Sequence, residues 1–435
     1  MKAIKVAVGL VLVLVLLLSM GGFSQDLAPD PQTLWIAVSE DAERWPAVAG
    51  GGDHIMVVYV KEDRQSIDNI FASVIPDESA KPLLYPISKH EADCAHPDVA
   101  YHASSGLFIV VYSCNHSDVY VQTFSPTTES VGVLEVIASG DATSGYPAIA
   151  CNQAESSCLI AYHYDESQIK GRYINLNSTG ITGLSDIYDL SDAADAGRPY
   201  LAWGKGVGTY LVAYNEQLAA AEVQPSFTHV IDHDDPVMVE KFLHPSTLAV
   251  PPGFSSTGYD ALVSDAAFDP CTQKFLISFD YDAAGDGSNY DVWAAVVHPT
   301  DPINFTPMPI ADTPVSESNS AISYVSGDTQ TPSCGTMDRL LVGYINDEVG
   351  LMAVELRGSS SPSTPVYTCE TANQHHVVEY HTPMDRVNDM RILGGAADRR
   401  FLMVYEIYHP FSGDYDVWGK FVGLLDLVYL PLVLR

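Results

Sequence analysis

Four residues that open a repeated tetrapeptide are the best candidates for ligand chemistry in this chain. Trp45, His96, Tyr146 and Arg198 each precede a proline: Trp45-Pro46-Ala47-Val48, His96-Pro97-Asp98-Val99, Tyr146-Pro147-Ala148-Ile149 and Arg198-Pro199-Tyr200-Leu201. Two aromatics, an imidazole and a guanidinium around one pocket would suit a polar or sugar-like ligand, although all four would also serve simply to bracket proline turns. A second set is acidic. Asp280-x-Asp282-x-x-x-Asp286-Gly287, followed by Asp291, offers hard oxygen donors on a glycine turn, which suits Ca2+. The spacing matches no EF-hand, and a solvated acidic loop is the plainer reading. His375, His376 and His381 lie close enough in sequence to bind Zn2+, but no cysteine or carboxylate spacing completes a closed site. Asp98, Asp260, Asp265 and Asp389 are carboxylates on expected inner strands, where a pair could serve glycoside hydrolysis. No Gly-x-Ser-x-Gly elbow or phosphate-binding glycine loop occurs.

The elements that must position these residues repeat seven times. Short apolar runs at 55–59, 108–112, 159–162, 210–214, 275–279, 340–344 and 401–405 each end on an aromatic: Tyr59, Tyr112, Tyr162, Tyr214, Phe279, Tyr344 and Tyr405. Those rings are 53, 50, 52, 65, 65 and 61 residues apart. Around each run stand further short β-branched or alternating segments, separated by Gly, Ser, Asn and Asp. The proline tetrapeptides begin a strand A, the apolar runs are strand B, and Asp118-Val119-Tyr120, Asp291-Val292-Trp293 and Asp416-Val417-Trp418 begin strand C. A strand D follows. Proline lacks an amide donor, so it fits the start of a strand, and it should hold the residue before it extended. Four antiparallel strands repeated at this period predict an all-β, seven-bladed β-propeller.

Residues 34–39 read as a strand D with no strand A before them, whereas the last repeat stops after strand C near residue 425. The N-terminal strand is therefore expected to complete the last blade and close the ring, removing an open edge. In this architecture the D–A and B–C loops share one face. The longest connections fall there, at 60–68, 280–290 and 406–415 (B–C) and 232–259 and 371–389 (D–A), so that face is the expected functional one.

Register tests the cysteines, of which there are seven. Pairing Ala150 with Leu159 sets Cys151 opposite Cys158, and pairing Ala100 with Phe108 sets Cys94 opposite Cys114. Directly opposed antiparallel residues have the separation a disulfide needs. Cys271, Cys334 and Cys369 remain, with no pairing fixed.

Lys2 and Lys5, a 13-residue apolar run over 6–18, and Gly22-Phe23-Ser24 read as a signal peptide over residues 1–24, consistent with disulfide formation. The propeller would occupy 25–425, leaving an apolar tail at 426–435. The chain carries 21 basic and 55 acidic residues, a formal net charge of −34, yet only 17% of residues are charged and 47% are hydrophobic. It is thus an ordered chain whose acidity disfavours nucleic acid and anionic lipid.

The pattern at 46–49, 108–112 and 291–294 resembles repeats of exported bacterial β-propeller proteins, mostly uncharacterised. The resemblance covers roughly residues 33–425 and implies architecture, with no catalytic residue to carry over. The chain lacks the Ser-x-Asp-x-Gly-x-Thr-Trp boxes of sialidase-type propellers and the Gly-His of WD repeats. The resulting expectation is a secreted or cell-surface binding or scaffold module, monomeric, with no membrane insertion after signal cleavage. Its glycan or protein ligand would sit on the long-loop face, and Ca2+ is the cofactor its acidic loop would suit. The alternative is a glycoside hydrolase or lyase acting on extracellular polysaccharide.

Overall fold

A computed structural model describes residues 29–39, 41–62, 67–76, 81–88, 92–115, 117–140, 144–165, 167–191, 196–219, 222–231, 241–242, 260–282, 289–299, 301–325, 339–358, 367–369, 376–380, 386–394 and 400–423. Strand B sets the architecture, because it is apolar without interruption. In blade 1, Met56, Val58 and Val60 pack with Val99, Phe108, Val110 and Tyr112 of blade 2. The alternate residues, Val57 and Tyr59, pack with Leu402 and Val404 of blade 7. Blade 2 repeats this division, with Ile109 and Val111 turned to Ile149, Ile160 and Tyr162 of blade 3. A strand buried on both faces needs no polar alternation. Each large side chain so buried contributes roughly 1.5–3 kcal/mol. A single blade could not hide both faces, so the blades must stack in a ring.

Blade 1 comprises strands Glu43–Gly51, His54–Glu62, Asp68–Ile75 and Leu83–Pro86. Blade 2 comprises Cys94–His102, Leu107–Cys114, Asp118–Ser125 and Glu135–Ala138, with Ser130–Val131 as an extra outer bridge. Blade 3 comprises Ser144–Asn152, Ser157–Tyr164, Gln168–Asn177 and Gly180–Asp189. Blade 4 comprises Ala196–Gly204, Thr209–Ala219, Glu222–Ile231 and Lys241–Phe242. Blade 5 comprises Asp260–Asp269, Lys274–Asp282, Asp291–His298 and Asp301–Ala311. Blade 6 comprises Glu317–Val325, Arg339–Asn346 and Gly350–Gly358, and both Tyr367–Cys369 and His376–Tyr380 pair on its outer edge. Blade 7 comprises Arg386–Gly394, Arg400–His409 and Asp414–Gly423, completed by the N-terminal Pro29–Ala37. Neighbouring strands within every blade are antiparallel. One parallel bridge, Val223 to Asp260, links blades 4 and 5.

The ring closes as expected: Leu34 faces Gly419, Trp35 faces Trp418 and Ala37 faces Val417. Both expected disulfides are formed, Cys94–Cys114 and Cys151–Cys158. The argument for the first needs correcting, since Phe108 faces Tyr101, not Ala100. A bulge at His96-Pro97 slips the register by one residue and brings Cys94 onto Cys114 all the same.

Two further expectations change. Residues 406–415 are not a loop, because strands B and C of blade 7 run on as a hairpin with Tyr408 opposite Tyr415. Three of the four residues before the prolines are not extended. Trp45, His96 and Tyr146 are left-handed, with φ of 54°, 51° and 48°. Each sits in the bulge of strand A, and the bulge overrides the usual pre-proline preference.

Serines close the D–A corners. The Ser88 and Ser191 hydroxyls accept the Ile70 and Ile169 amides of strand C at 2.7 and 2.8 Å. The expected signal peptide and apolar tail lie outside the described residues. Among the described residues, no helix is long and apolar enough to cross a membrane.

Candidate functional site: a stacked ledge and a charged belt

Strand A lines the axis of the ring, and its bulge decides what the axis presents. Two residues on from the bulge residue, blades 1 to 7 place Ala47, Asp98, Ala148, Tyr200, Asp265, Ala321 and Arg391 at matched register. The bulge level itself carries Trp45, His96, Tyr146, Arg198, Val263, Asn319 and Asp389. The first four are the residues singled out from sequence, and consecutive blades bring them together.

The Trp45 and His96 rings lie 4.6 Å apart, 30° from parallel. His96 and Tyr146 lie 4.0 Å apart at 31°. The Arg198 guanidinium stands 5.9 Å from the Tyr146 ring and 5.1 Å from that of Tyr200. At the other end Arg44, which the sequence reading did not single out, stands 5.2 Å from Trp45 and 6.0 Å from Tyr415. Arg44 is held by Asp68, which accepts from it at 3.1 and 3.2 Å. The result is a column of aromatic and cationic groups around the mouth on the D–A/B–C face. Ring faces are spent on one another, so the column presents its edges outward. Tyr146 is the most open member, at 38% exposed.

Below this ledge lies a belt of alternating charge. Asp98 accepts the Val99 amide at 2.9 Å on one oxygen and the Ile149 amide of blade 3 at 2.9 Å on the other. Asp265 does the same with Ala266 at 2.8 Å and Ile322 of blade 6 at 3.0 Å. In both cases the matched residue of the next blade is alanine, which leaves room for the carboxylate to reach past. Burial pushes the Asp98 carboxyl up to about 6, outweighing its two amide bonds and the attraction of Arg391 and Arg198. Burial also raises Asp265 against the same two arginines. Arg391 donates to Asp389 at 3.1 Å and to the Met390 carbonyl at 2.6 Å. Burial works against its charge, but Asp389, Tyr200, Asp265 and Asp98 together hold it protonated. Arg198 is different: among the described residues no carboxylate stands within ion-pair distance of it.

A cavity of about 340 Å³ continues from the belt toward the A–B turns. Arg198, Tyr200, Asp98, Asp265 and Arg391 line its charged end, and Ala49, Ala100, Ala267 and Ser323 line its narrow waist. Gly50, Tyr101 and Gln153 line the far end.

The acidic set is less concentrated than its spacing suggested. Asp280 lies within strand B, and its carboxylate clasps blade 6, accepting the Asn319 amide at 2.7 Å and the Ser320 hydroxyl at 3.1 Å. Glu406 of blade 7 and Asn215 of blade 4 hold the same position and accept the amides of Trp45 at 3.0 Å and Val263 at 2.5 Å. Asp282 ends the same strand as Asp280, and Asp291 begins the facing one, where burial pushes its carboxyl up to about 6. Asp286, His375 and His381 lie outside the described residues, and of His376 only the backbone is described. Among the described residues no three His, Cys, Asp or Glu side chains are grouped to hold a metal ion.

Sequence reading named Asp98, Asp265 and Asp389 as inner-strand carboxylates but missed the clasps and how the belt is arranged, because blades 5 to 7 lack the proline that marks strand A elsewhere. Counting one residue back from each strand B aromatic, and across to strand A, would have located the belt.

No family model matches the chain, and no curated protein matches it significantly. Solved structures it resembles include an α-L-arabinofuranosidase from Podospora anserina in complex with cellotriose, at 12% identity and TM-score 0.35, covering 60% of this chain and 94% of that one. Another is the intramolecular trans-sialidase from Ruminococcus gnavus in complex with oseltamivir carboxylate, at 9% identity and TM-score 0.47, covering 93% of this chain and 98% of that one. A third is a puromycin hydrolase mutant, at 9% identity and TM-score 0.47, of which this chain spans 53% while 86% of this chain is covered. Likeness of this degree carries no argument about activity.

Proposed function

We propose that this protein is an extracellular binding module whose D–A/B–C face holds a glycan or protein ligand at the ledge of Trp45, His96, Tyr146 and Arg198. One observation carries the reading. Side chains from four consecutive blades converge ring to ring at the axis, three of them from left-handed backbone. Non-glycine residues with positive φ are costly, and such strain tends to persist where a site depends on it.

The column supplies the Tyr146 hydroxyl and the Arg198 fork beside the His96 ring, a set suited to sugar hydroxyls. The hydrolase alternative asks for two carboxylates about 5–10 Å apart with oxygens available to substrate. Asp98 and Asp265 both turn their two oxygens onto backbone amides, which favours binding over hydrolysis. Export fits the N-terminal signal and the two disulfides, and the net charge of −34 argues against nucleic acid as a partner. The reading is of a monomer.

A glycan array together with pull-down on extracellular polymer tests the proposal, using wild type and the His96→Ala and Trp45→Ala variants. Binding that weakens at least about tenfold in both variants is expected, the order of one lost anchoring contact. No binding in either assay sinks the reading, and cleavage of an arrayed oligosaccharide would replace it with the hydrolase.

A further inference from the structure

We infer that the axial cavity is a second binding site, reached from the A–B side, which takes a small organic carboxylate against Arg198 and Arg391. This goes beyond the ledge reading and shares only Arg198 with it. The ledge residues Trp45, His96 and Tyr146 do not line the cavity, and the cavity runs from the belt toward the opposite face.

Three observations lead to this ligand class. The volume of about 340 Å³ falls at the lower end of small-molecule sites, ~300–1,000 Å³. It therefore suits a compact molecule and not a polymer. Four of the side chains lining the waist, Ala49, Ala100, Ala267 and Ser323, are small, which leaves space beside Leu393.

The charged end is the third. Its acidic members are already used: each oxygen of Asp98 and Asp265 accepts a backbone amide. Arg391 has one nitrogen bound to Asp389 and Met390. Arg198 has aromatic neighbours and no carboxylate among the described residues. The Arg198 guanidinium thus lines the cavity with no ion pair among the described residues, and Asp98 and Asp265 act on it only at longer range. A guanidinium fork matches a carboxylate in two-point geometry, which lysine could not reproduce.

The titratable groups facing Arg198 and Arg391 are the carboxyls of Asp98, Asp265 and Asp389 and the Tyr200 phenol, which burial keeps neutral. Asp98 takes up a proton near pH 6. Acidification from pH 7.5 to 5.5 therefore removes negative charge from the belt and should strengthen carboxylate binding.

The test is ligand-observed NMR and calorimetry on the full-length protein with acetate, pyruvate and D-glucuronate, with D-glucose as the neutral counterpart. At least one carboxylate is expected to bind where glucose does not, more tightly at pH 5.5 than at 7.5. Arg198→Gln should weaken it at least about tenfold, and Arg198→Lys by less, as loss of a charged two-point contact implies. Ala267→Leu, which narrows the waist without touching the charges, should also weaken it. Thermal unfolding of each variant separates lost binding from lost folding. Failure of all three carboxylates to bind, equal binding of glucose, unchanged affinity in folded Arg198→Gln, or weakening on acidification each overturns the inference. None of these outcomes touches the ledge reading, which is judged on His96→Ala and Trp45→Ala against glycan or polymer.

Discussion

The amide of Trp45 donates to a carboxylate oxygen of Glu406 at 3.0 Å, across 361 residues of sequence. Blade 7 meets blade 1 at this bond. The same bond holds Trp45 in the bulge that turns its ring into the stacked column. Glu406 is buried, and its other oxygen accepts from the Asn388 side chain at 3.3 Å.

Removing that acceptor should therefore loosen both the closure and the ledge. Glu406→Ala is expected to lower stability by about 1.5–3 kcal/mol, the usual range for a hydrogen bond to a charged group. Glu406→Gln keeps an acceptor and should lose clearly less. Denaturant unfolding of the two variants measures the difference, and equal losses would mean that the bond to Trp45 carries little.

Acid should stabilise this protein before it harms it. Burial raises the Asp98, Asp280 and Glu406 carboxyls to about 6, and Asp291 likewise with help from Asp312, Glu317 and Asp282. Unfolded carboxylates titrate near ~4. The folded state thus binds these protons more tightly than the unfolded state does. The stability they bring is fully present below about pH 4 and is lost as pH rises through about 6. Calorimetric Tm should rise as pH falls from 7.5 toward 5. A Tm that drops over that interval would show that other groups dominate.

The two disulfides should contribute unequally. Cys94–Cys114 closes 20 residues and Cys151–Cys158 only 7. Loop-closure entropy assigns about 3 kcal/mol to the first and ~2 kcal/mol to the second. Replacing each pair by serine and measuring unfolding tests the order. Both pairs sit in packed layers, Cys94 and Cys114 between blades 1 and 2 and Cys151 and Cys158 between blades 2 and 3, so burial does not reverse that order.

The closing strand should be sensitive at Ile36. That side chain is 5% exposed and packs on Val57 and Tyr59 of blade 1 and on Leu402 and Val404 of blade 7. Ile36→Ala should cost about 2–5 kcal/mol. A Cβ added at Gly419 would lie 2.6 Å from the Ile36 Cδ1 atom. Gly419→Val should therefore also destabilise, by roughly 1–3 kcal/mol of overpacking. Combined with Ile36→Ala it should cost less than the sum, which a double-mutant cycle in urea would reveal.

The architecture was legible because strand B obeys one constraint seven times. Burial on both faces demands an apolar run, and the ring that ends each run, such as Tyr59 or Tyr405, packs against the preceding blade. The ledge was half legible. The prolines marked Trp45, His96, Tyr146 and Arg198, but not that bulges would stack them ring against ring. Arg44 joined the column through a contact between blades 1 and 7 that no local pattern encodes. The charges were less legible. Asp280, a candidate cation ligand by its spacing, lies beside a strand B aromatic, and its carboxylate accepts an amide of the next blade's bulge, a role that no local spacing encodes. The Cys94–Cys114 pairing came out right from a register that was off by one, since the bulge restored what the count had missed.

Residues 29–37 are synthesised before the strand they pair with, 414–423. Blades 1 to 6 must therefore be made before this strand finds its partner. Such distant pairing makes for slow folding. Until then Trp35 and the strand around it are an unpaired apolar segment, so this protein's exposure to misassembly is set by its translation time as much as by its stability.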